Sequence, residues 1–126
     1  MNTVTDVAAH IKQIWSSSAF MNLLKIEIDE IHCGGATVKM PIDFDIHTNH
    51  WLGVHGGALA ALADAVMGIT GASVGEVVQT LSFNINFIGV FWRISTAVTI
   101  SSTYTLRTLI CRICDSNIIY KSRWVR

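Results

Sequence analysis

The stretch GVHGGALAALADAVMG, residues 53–68, holds two features that could do chemistry. Asp64 is the only charged residue between Ala58 and Ile69, inside the most apolar helical pattern of the chain. An unpaired buried charge costs on the order of several kcal/mol, so such a carboxylate needs a partner or a task. A purely structural Asp64 would bond Thr80, Ser82 or a backbone N–H. His55-Gly56-Gly57 stands immediately before the same helix. The first turn of a helix carries N–H groups without intrahelical acceptors, at the positive end of the dipole. Two glycines let an oxygen approach the backbone closely. That suits a carbonyl oxygen that becomes negative during attack. It suits equally a tight loop-to-helix turn.

Asp64 follows Gly56 by eight residues. At about 1.5 Å per residue this is roughly 12 Å along the helix axis. The carboxylate therefore cannot reach a carbonyl held at the start of its own helix. A two-fold dimer with antiparallel central helices brings each Asp64 to the Gly56 end of the partner helix.

The surrounding pattern predicts the elements that position these groups. Val4, Val7, Ile11 and Ile14 recur at helical spacing, with Ala8 and Trp15 beside them, so residues 3–15 read as an amphipathic helix. Thr3 with Asp6 resembles a capping box. KIEIDEI and ATVKMPI alternate on either side of Gly34-Gly35 and read as a hairpin. After a polar loop, DFDIHTNHWLG, comes the apolar helix over residues 57–70, followed by a turn at GASVG. Period two then predicts four strands, over 77–88, 93–102, 105–114 and 118–124, with a turn at DSN. A helix apolar on every side must be covered on every side. The simplest arrangement is an α+β hotdog fold: one long central helix wrapped by a curved antiparallel sheet of about six strands, plus an N-terminal helix.

NHWLGVHGGALAALAD, Asn49 to Asp64, resembles the hotdog-fold acyl-CoA thioesterases of the phenylacetate-degradation type. Their signature places an Asn, His-Gly-Gly beginning six residues later, and an Asp nine residues after the His. QTLSFNINF, Gln79 to Phe87, resembles their third strand. The resemblance implies a role for each matching residue. Gly56 N–H would polarise the thioester carbonyl. Asn49 would help position the carbonyl or the water. Asp64 of the other subunit would act as general base on water, or as nucleophile. His55 would orient its neighbours. Thr80 would place the water, with Ser82 a weaker candidate for that role, and Gly57 would help bind substrate. GVFWR (89–93) and TYTLR (103–107) depart from the Arg-Pro-like and Gly-Arg turns of those relatives, near the coenzyme A path.

Composition bounds the remainder. A chain of 126 residues fits one domain, residues 1–126. It is 51% hydrophobic and 14% charged, too apolar for so small an interior, so a homodimer is expected, or a homotetramer built from two. Zero net charge argues against nucleic acid and membrane surfaces as partners. The start lacks a secretory pattern, and three cysteines fit reduced thiols in the cytoplasm. Cys111 and Cys114 form C-x-x-C, but positions i and i+3 of a strand face opposite sides. Asp43, Asp45, His47 and His50 share no regular face, so no metal is expected. Trp51, Phe91 and Trp92 are read as interface packing or as lining for an acyl or aryl group. Arg93, Arg107, Arg112, Lys121, Arg123 and Arg126 are read mostly as solvated charges, some of which could meet coenzyme A phosphates.

The favoured function is hydrolysis of an acyl-CoA or aryl-CoA thioester without a cofactor. The rivals are a non-hydrolytic acyl-CoA-binding or regulatory protein and a hydratase or dehydratase on the same fold.

Overall fold

The computed structural model describes residues 4–80, 82, 84–87, 97–105, 108–115 and 118–123. Four helices, α1 (Val4–Ser16), α2 (Ala19–Leu23), α3 (Phe44–His47) and α4 (Gly56–Ser73), combine with five strands. The strands are β1 (Glu27–His32), β2 (Gly35–Pro41), β3 (Ala97–Thr105), β4 (Thr108–Asp115) and β5 (Ile118–Arg123). They form one sheet in the order β1-β2-β3-β4-β5, with every neighbour antiparallel.

The expected hairpin is β1–β2. Gly34 turns it at φ +78°, a conformation that favours glycine. Ile28 pairs with Val38, but the next pair is Glu30 with Thr37, so β1 carries a bulge at Asp29. The bulge resets the alternation. Ile28 and Ile31 are half-buried, while Asp29 and Glu30 are exposed.

Val38 and Met40 of β2 and Val98 and Ile100 of β3 are fully buried. They form the floor on which α4 lies, meeting Leu59, Leu62, Val66 and Ile69 at helical spacing. Ser73 Oγ donates to Thr70 O (2.7 Å) and accepts from Gly34 N–H (3.0 Å), which ties the end of α4 to the hairpin turn. By length and mean hydropathy (1.2) α4 could cross a membrane; its apolar side instead packs on the sheet.

Two expectations about helix faces need correction. α4 is not covered on every side of the chain. Asp64 is exposed, and Ala60, Ala61, Ala65 and Gly68 are half-buried, because the sheet covers one side and α1 only part of the other. α1 turns Ile11 inward with Trp15 half-buried, while Val7 and Ile14 are exposed. The Thr3–Asp6 capping box lies outside the described side chains.

The strand expected over 77–88 is not one among the described residues. Leu81, Phe83 and Ile88 fall outside the description. The cause is the end of α4. Gly75 sits at φ +81°, Gly75 N–H donates to Ala72 O (3.0 Å) and Glu76 N–H to Gly71 O (3.1 Å), a Schellman motif. It sends the chain back along the helix. Val78 meets Gly71, Thr80 meets Asp64 and Phe87 meets Gly56. The other late strands begin or end a few residues from their expected limits: 93–102 is seen as Ala97–Thr105, and 105–114 as Thr108–Asp115.

The loop before α4 is anchored by His47, which is fully buried. Its Nδ1 accepts from Asp43 N–H (2.9 Å), so Nε2 carries the proton and donates to Leu24 O (2.7 Å). Lys25 closes α2 in a left-handed conformation and reaches Asp43 across 2.5 Å. That ammonium, helped by the Asp45 N–H, holds the Asp43 carboxyl below its ordinary value of 3.8.

His47→Leu strands the Leu24 carbonyl and the Asp43 N–H, and is expected to cost about 2–4 kcal/mol in urea unfolding. A carboxylate depressed on folding adds stability above its unfolded pKa and loses it as pH falls through the folded value. The stability gap between wild type and Asp43→Asn should therefore be full at neutral pH and close below about pH 4. Unfolding curves for both proteins across that range check this.

Candidate functional site

His55 is the N-cap of α4, in extended backbone at φ −68°, ψ 131°. Its Nδ1 accepts from Gly57 N–H at 2.9 Å, and its carbonyl accepts from Ala58 N–H (3.0 Å) and Leu59 N–H (3.3 Å). Among the described residues no acceptor meets the Gly56 N–H. The cap thus consumes its neighbours and leaves one amide free at the positive end of the dipole. His55 N–H donates to His47 O (2.7 Å), so the buried His47 anchor fixes the cap. A Cβ at Gly56 would stand 3.2 Å from Phe87 Cζ, so the ring closes one flank of this amide.

Asn49 organises the preceding loop. Its Oδ1 accepts from Trp51 N–H (3.0 Å) and Gly53 N–H (3.1 Å), and its own N–H donates to Gly53 O (2.8 Å). Thr48 and Val54 form an isolated bridge that closes the loop. The carboxamide Nδ2 makes no hydrogen bond among the described residues. Trp51 is 74% exposed and lies tilted by 40° against His50, with centroids 3.8 Å apart. Leu52 holds φ +62°, a strained conformation for a leucine and a mark of a loop held by its surroundings.

Asp64 is exposed on α4. Thr80 Oγ1 donates to its Oδ1 at 2.5 Å, which leaves Oδ2 without a partner among the described residues. The close approach depends on Gly71, where a Cβ would stand 2.7 Å from Val78 Cγ2. A cavity of about 430 Å³ borders the pair, lined by Trp15, Met67, Gly68, Val78 and Gln79. A fixed, solvent-reachable carboxylate beside a cavity is equipped to take a proton from water or to attack directly.

The structure therefore brings Thr80 to Asp64, and gathers His55, Gly56 and Gly57 at the start of α4, while Asn49 makes its contacts within the preceding loop, to Trp51, Leu52 and Gly53. It does not join the two groups within one chain, since the unbroken helix keeps them roughly 12 Å apart. Ser82 is exposed and makes no hydrogen bond among the described residues. Cys111 and Cys114 lie on β4 opposite Ser102 and Thr99. Phe91, Trp92, Arg93, Arg107 and Arg126 lie outside the description, as does the 89–93 turn. Sequence reasoning missed His47, Val78 and Phe87 and gave Trp15 only a helix face. In the sequence Gly71 reads as the first residue of a turn; α4 instead runs through it to Ser73, and the missing side chain makes room for Val78. Phe87 left no readable sign.

No family model matches the chain. Over 80 residues, 62% of the chain, it is 29% identical to a protein from Thermoplasma acidophilum named "Putative esterase", and spans 60% of that relative's length. Solved structures are similar over most of the chain. The Escherichia coli PaaI protein from the phenylacetic acid degradation operon aligns with a TM-score of 0.73 at 20% identity, over 92% of this chain and 84% of that one. A hypothetical thioesterase protein from Streptococcus pneumoniae, solved with coenzyme A, aligns with a TM-score of 0.67 at 21% identity, over 84% of each chain. The chain has the hotdog fold of these thioesterase-type structures, as its sequence resemblance implies.

Gly71→Ala should favour α4 by propensity yet displace Val78, for a net loss of up to about 2 kcal/mol. Thermal unfolding measures the loss. Loss of the NMR cross-relaxation between the Val78 methyl groups and the α proton of residue 71 would report that the segment has lifted from α4.

Proposed function

We propose that this chain hydrolyses an acyl-CoA thioester to the free acid and coenzyme A, at sites shared between two copies. One observation carries the reading. A helix that presents a single free amide at Gly56 also carries, too far along its axis for the same substrate carbonyl, a carboxylate steadied by a hydroxyl. The hotdog fold, the esterase-named relative and the neighbour solved with coenzyme A support it.

The thioester carbonyl oxygen accepts from Gly56 N–H of one copy, with Asn49 Nδ2 beside it. Asp64 of the other copy takes a proton from water while the water oxygen bonds the carbonyl carbon. Negative charge gathers on the carbonyl oxygen at the helix N-terminus. The C–S bond then breaks, the carbonyl reforms, and the thiolate leaves to take up a proton. Thr80 keeps Asp64 in one orientation, so the base is already aimed. Attack by Asp64 itself through an anhydride is the alternative first step. His55 removes Gly57 N–H from competition, so that Gly56 alone meets the oxygen. The exposed α4 face and the unladdered segment 77–80 supply surface and backbone groups for a second copy.

Asp64→Asn should keep the wild-type melting temperature and lose thiol release by about 10²–10⁴-fold. Loss accompanied by unfolding or dissociation would make Asp64 structural. Mixing tests the sharing. Asp64→Ala and Asn49→Ala are each damaged at both sites of their homodimers. A mixed dimer collects both lesions in one site and none in the other. Unfolding, mixing and refolding equal amounts should restore roughly a quarter of refolded wild-type activity if the sites act independently. No recovery, with mixed dimers confirmed by mass spectrometry, would place Asp64 and Asn49 in one chain's site.

A further inference from the structure

Asp64 borders a second cavity, on the opposite side from Thr80. This groove of about 340 Å³ lies between α4 and the α1–α2 corner, walled by Ile14, Trp15, Phe20, Met21, Ala61 and Ala65. Its volume falls at the small end of the roughly 300–1,000 Å³ of ligand pockets. Trp15, Asp64 and Ala65 line both cavities, so the indole is the partition between them. It lies against α4 where the helix is smallest: a Cβ at Gly68 would stand 3.9 Å from Trp15 Cζ2.

The two sides differ in chemistry. The first cavity has Gln79 and the Thr80 hydroxyl in its wall. The second has three polar side chains: Asp64 at its border, the Trp15 indole between the two cavities, and Ser18, whose Oγ accepts from Met21 N–H as the cap of α2. Its other walls, Ile14, Phe20, Met21, Ala61 and Ala65, are apolar. Its rim leaves Ile14 48% and Phe20 59% exposed, apolar surface that gains by being covered.

We infer that this groove holds the hydrocarbon tail of the acyl group, under the N-terminal helices of the subunit that supplies Asp64, with Trp15 dividing tail from reacting centre. The inference rests on the acyl-CoA reading and adds where the acyl group lies and which residues measure its length. The carbonyl carbon sits at the Asp64 border, the chain runs toward Phe20 and Met21, and coenzyme A leaves by the opposite side. Ala61 and Ala65 are small because larger residues would fill the channel. The occupant is an unbranched aliphatic chain, since the walls beyond Asp64 are mostly methyl and ring surface.

The test compares octanoyl-CoA with acetyl-CoA on wild type, Ala61→Leu, Phe20→Ala and, as a control on the same short helix, Leu23→Ala, which lies outside the groove. The readout is the ratio of kcat/KM for the two substrates. Ala61→Leu should lower the octanoyl-to-acetyl ratio by about 10- to 100-fold, because it places methyl groups where the chain would lie. Phe20→Ala, at an exposed position that cannot unfold the core, should lower it several-fold by removing a wall, and Leu23→Ala should leave it as in wild type. A ratio unmoved by both Ala61→Leu and Phe20→Ala would overturn the inference. So would a change in sedimentation with the ratio intact, which would make the groove a contact between copies. If no thioester is hydrolysed, the acyl-CoA hydrolysis reading fails alone, and calorimetric binding of the same two compounds decides the groove. Weakened octanoyl-CoA binding in Ala61→Leu against unaltered acetyl-CoA binding supports it, and equal effects on both overturn it.

Discussion

The organisation of the site depends on one contact: the side of α4 that carries Leu59, Leu62, Val66 and Ile69 lies on Val38, Met40, Val98 and Ile100 of the sheet. These side chains exclude solvent almost completely, so the helix cannot rotate without opening the core. Its azimuth decides what the opposite side presents. Fixing Leu62 and Val66 inward leaves Asp64, between them in sequence, facing out. The carboxylate does not have to be tolerated by the core. It is excluded from the core by the same packing that orients it, and the desolvation cost that its apolar neighbours suggest does not arise within the chain.

Around that helix, three sets of hydrogen bonds deliver the remaining groups. The buried His47 carries the polar loop to Leu24, and its carbonyl carries His55 to the start of α4. The Schellman turn at Gly75 reverses the chain and lays Val78 on Gly71. Asn49 folds the loop that follows the anchor around its own side-chain oxygen. The turn at Gly75 and the Asn49 loop are short in range, while the His47–Leu24 bond spans 23 residues, and each would leave a polar group unsatisfied if broken. Precision at the site thus comes from polar contacts, while the position of the whole comes from apolar ones.

Much of this was legible in the sequence, for physical reasons. Period-two alternation and paired glycines mark β1–β2, because a half-buried ladder and its tight turn constrain residue type strongly. The run of alanine, leucine and valine after His55-Gly56-Gly57 marks α4 and its cap. The structural reading of Asp64 named Thr80, Ser82 or a backbone N–H as its partner, and Thr80 is the one in contact. What was illegible depended on tertiary choice. Val7 and Ile14 are as apolar as Ile11, and only docking shows that α1 turns Ile11 and Trp15 inward. Residues 77–88 have strand composition, but a strand also needs an edge, and composition cannot say whether the chain supplies one. His47 resembles a ligand or a surface residue until its two buried partners are seen.

The bulge in β1 bears on how this fold can change over evolutionary time. Ile28 faces Val38 and Glu30 faces Thr37, so Asp29 has no partner opposite it. Removing Asp29 would leave all five pairs of the hairpin in place and both isoleucines on their present side. Removing Ile28 or Ile31 would instead slide the strand and send alternate residues to the wrong side. A one-residue gap is therefore neutral at Asp29 and disruptive two positions away. Relatives of this chain that differ in length by a single residue in the first hairpin can share its pairing register, and an alignment that places the gap elsewhere would misassign the side each residue faces.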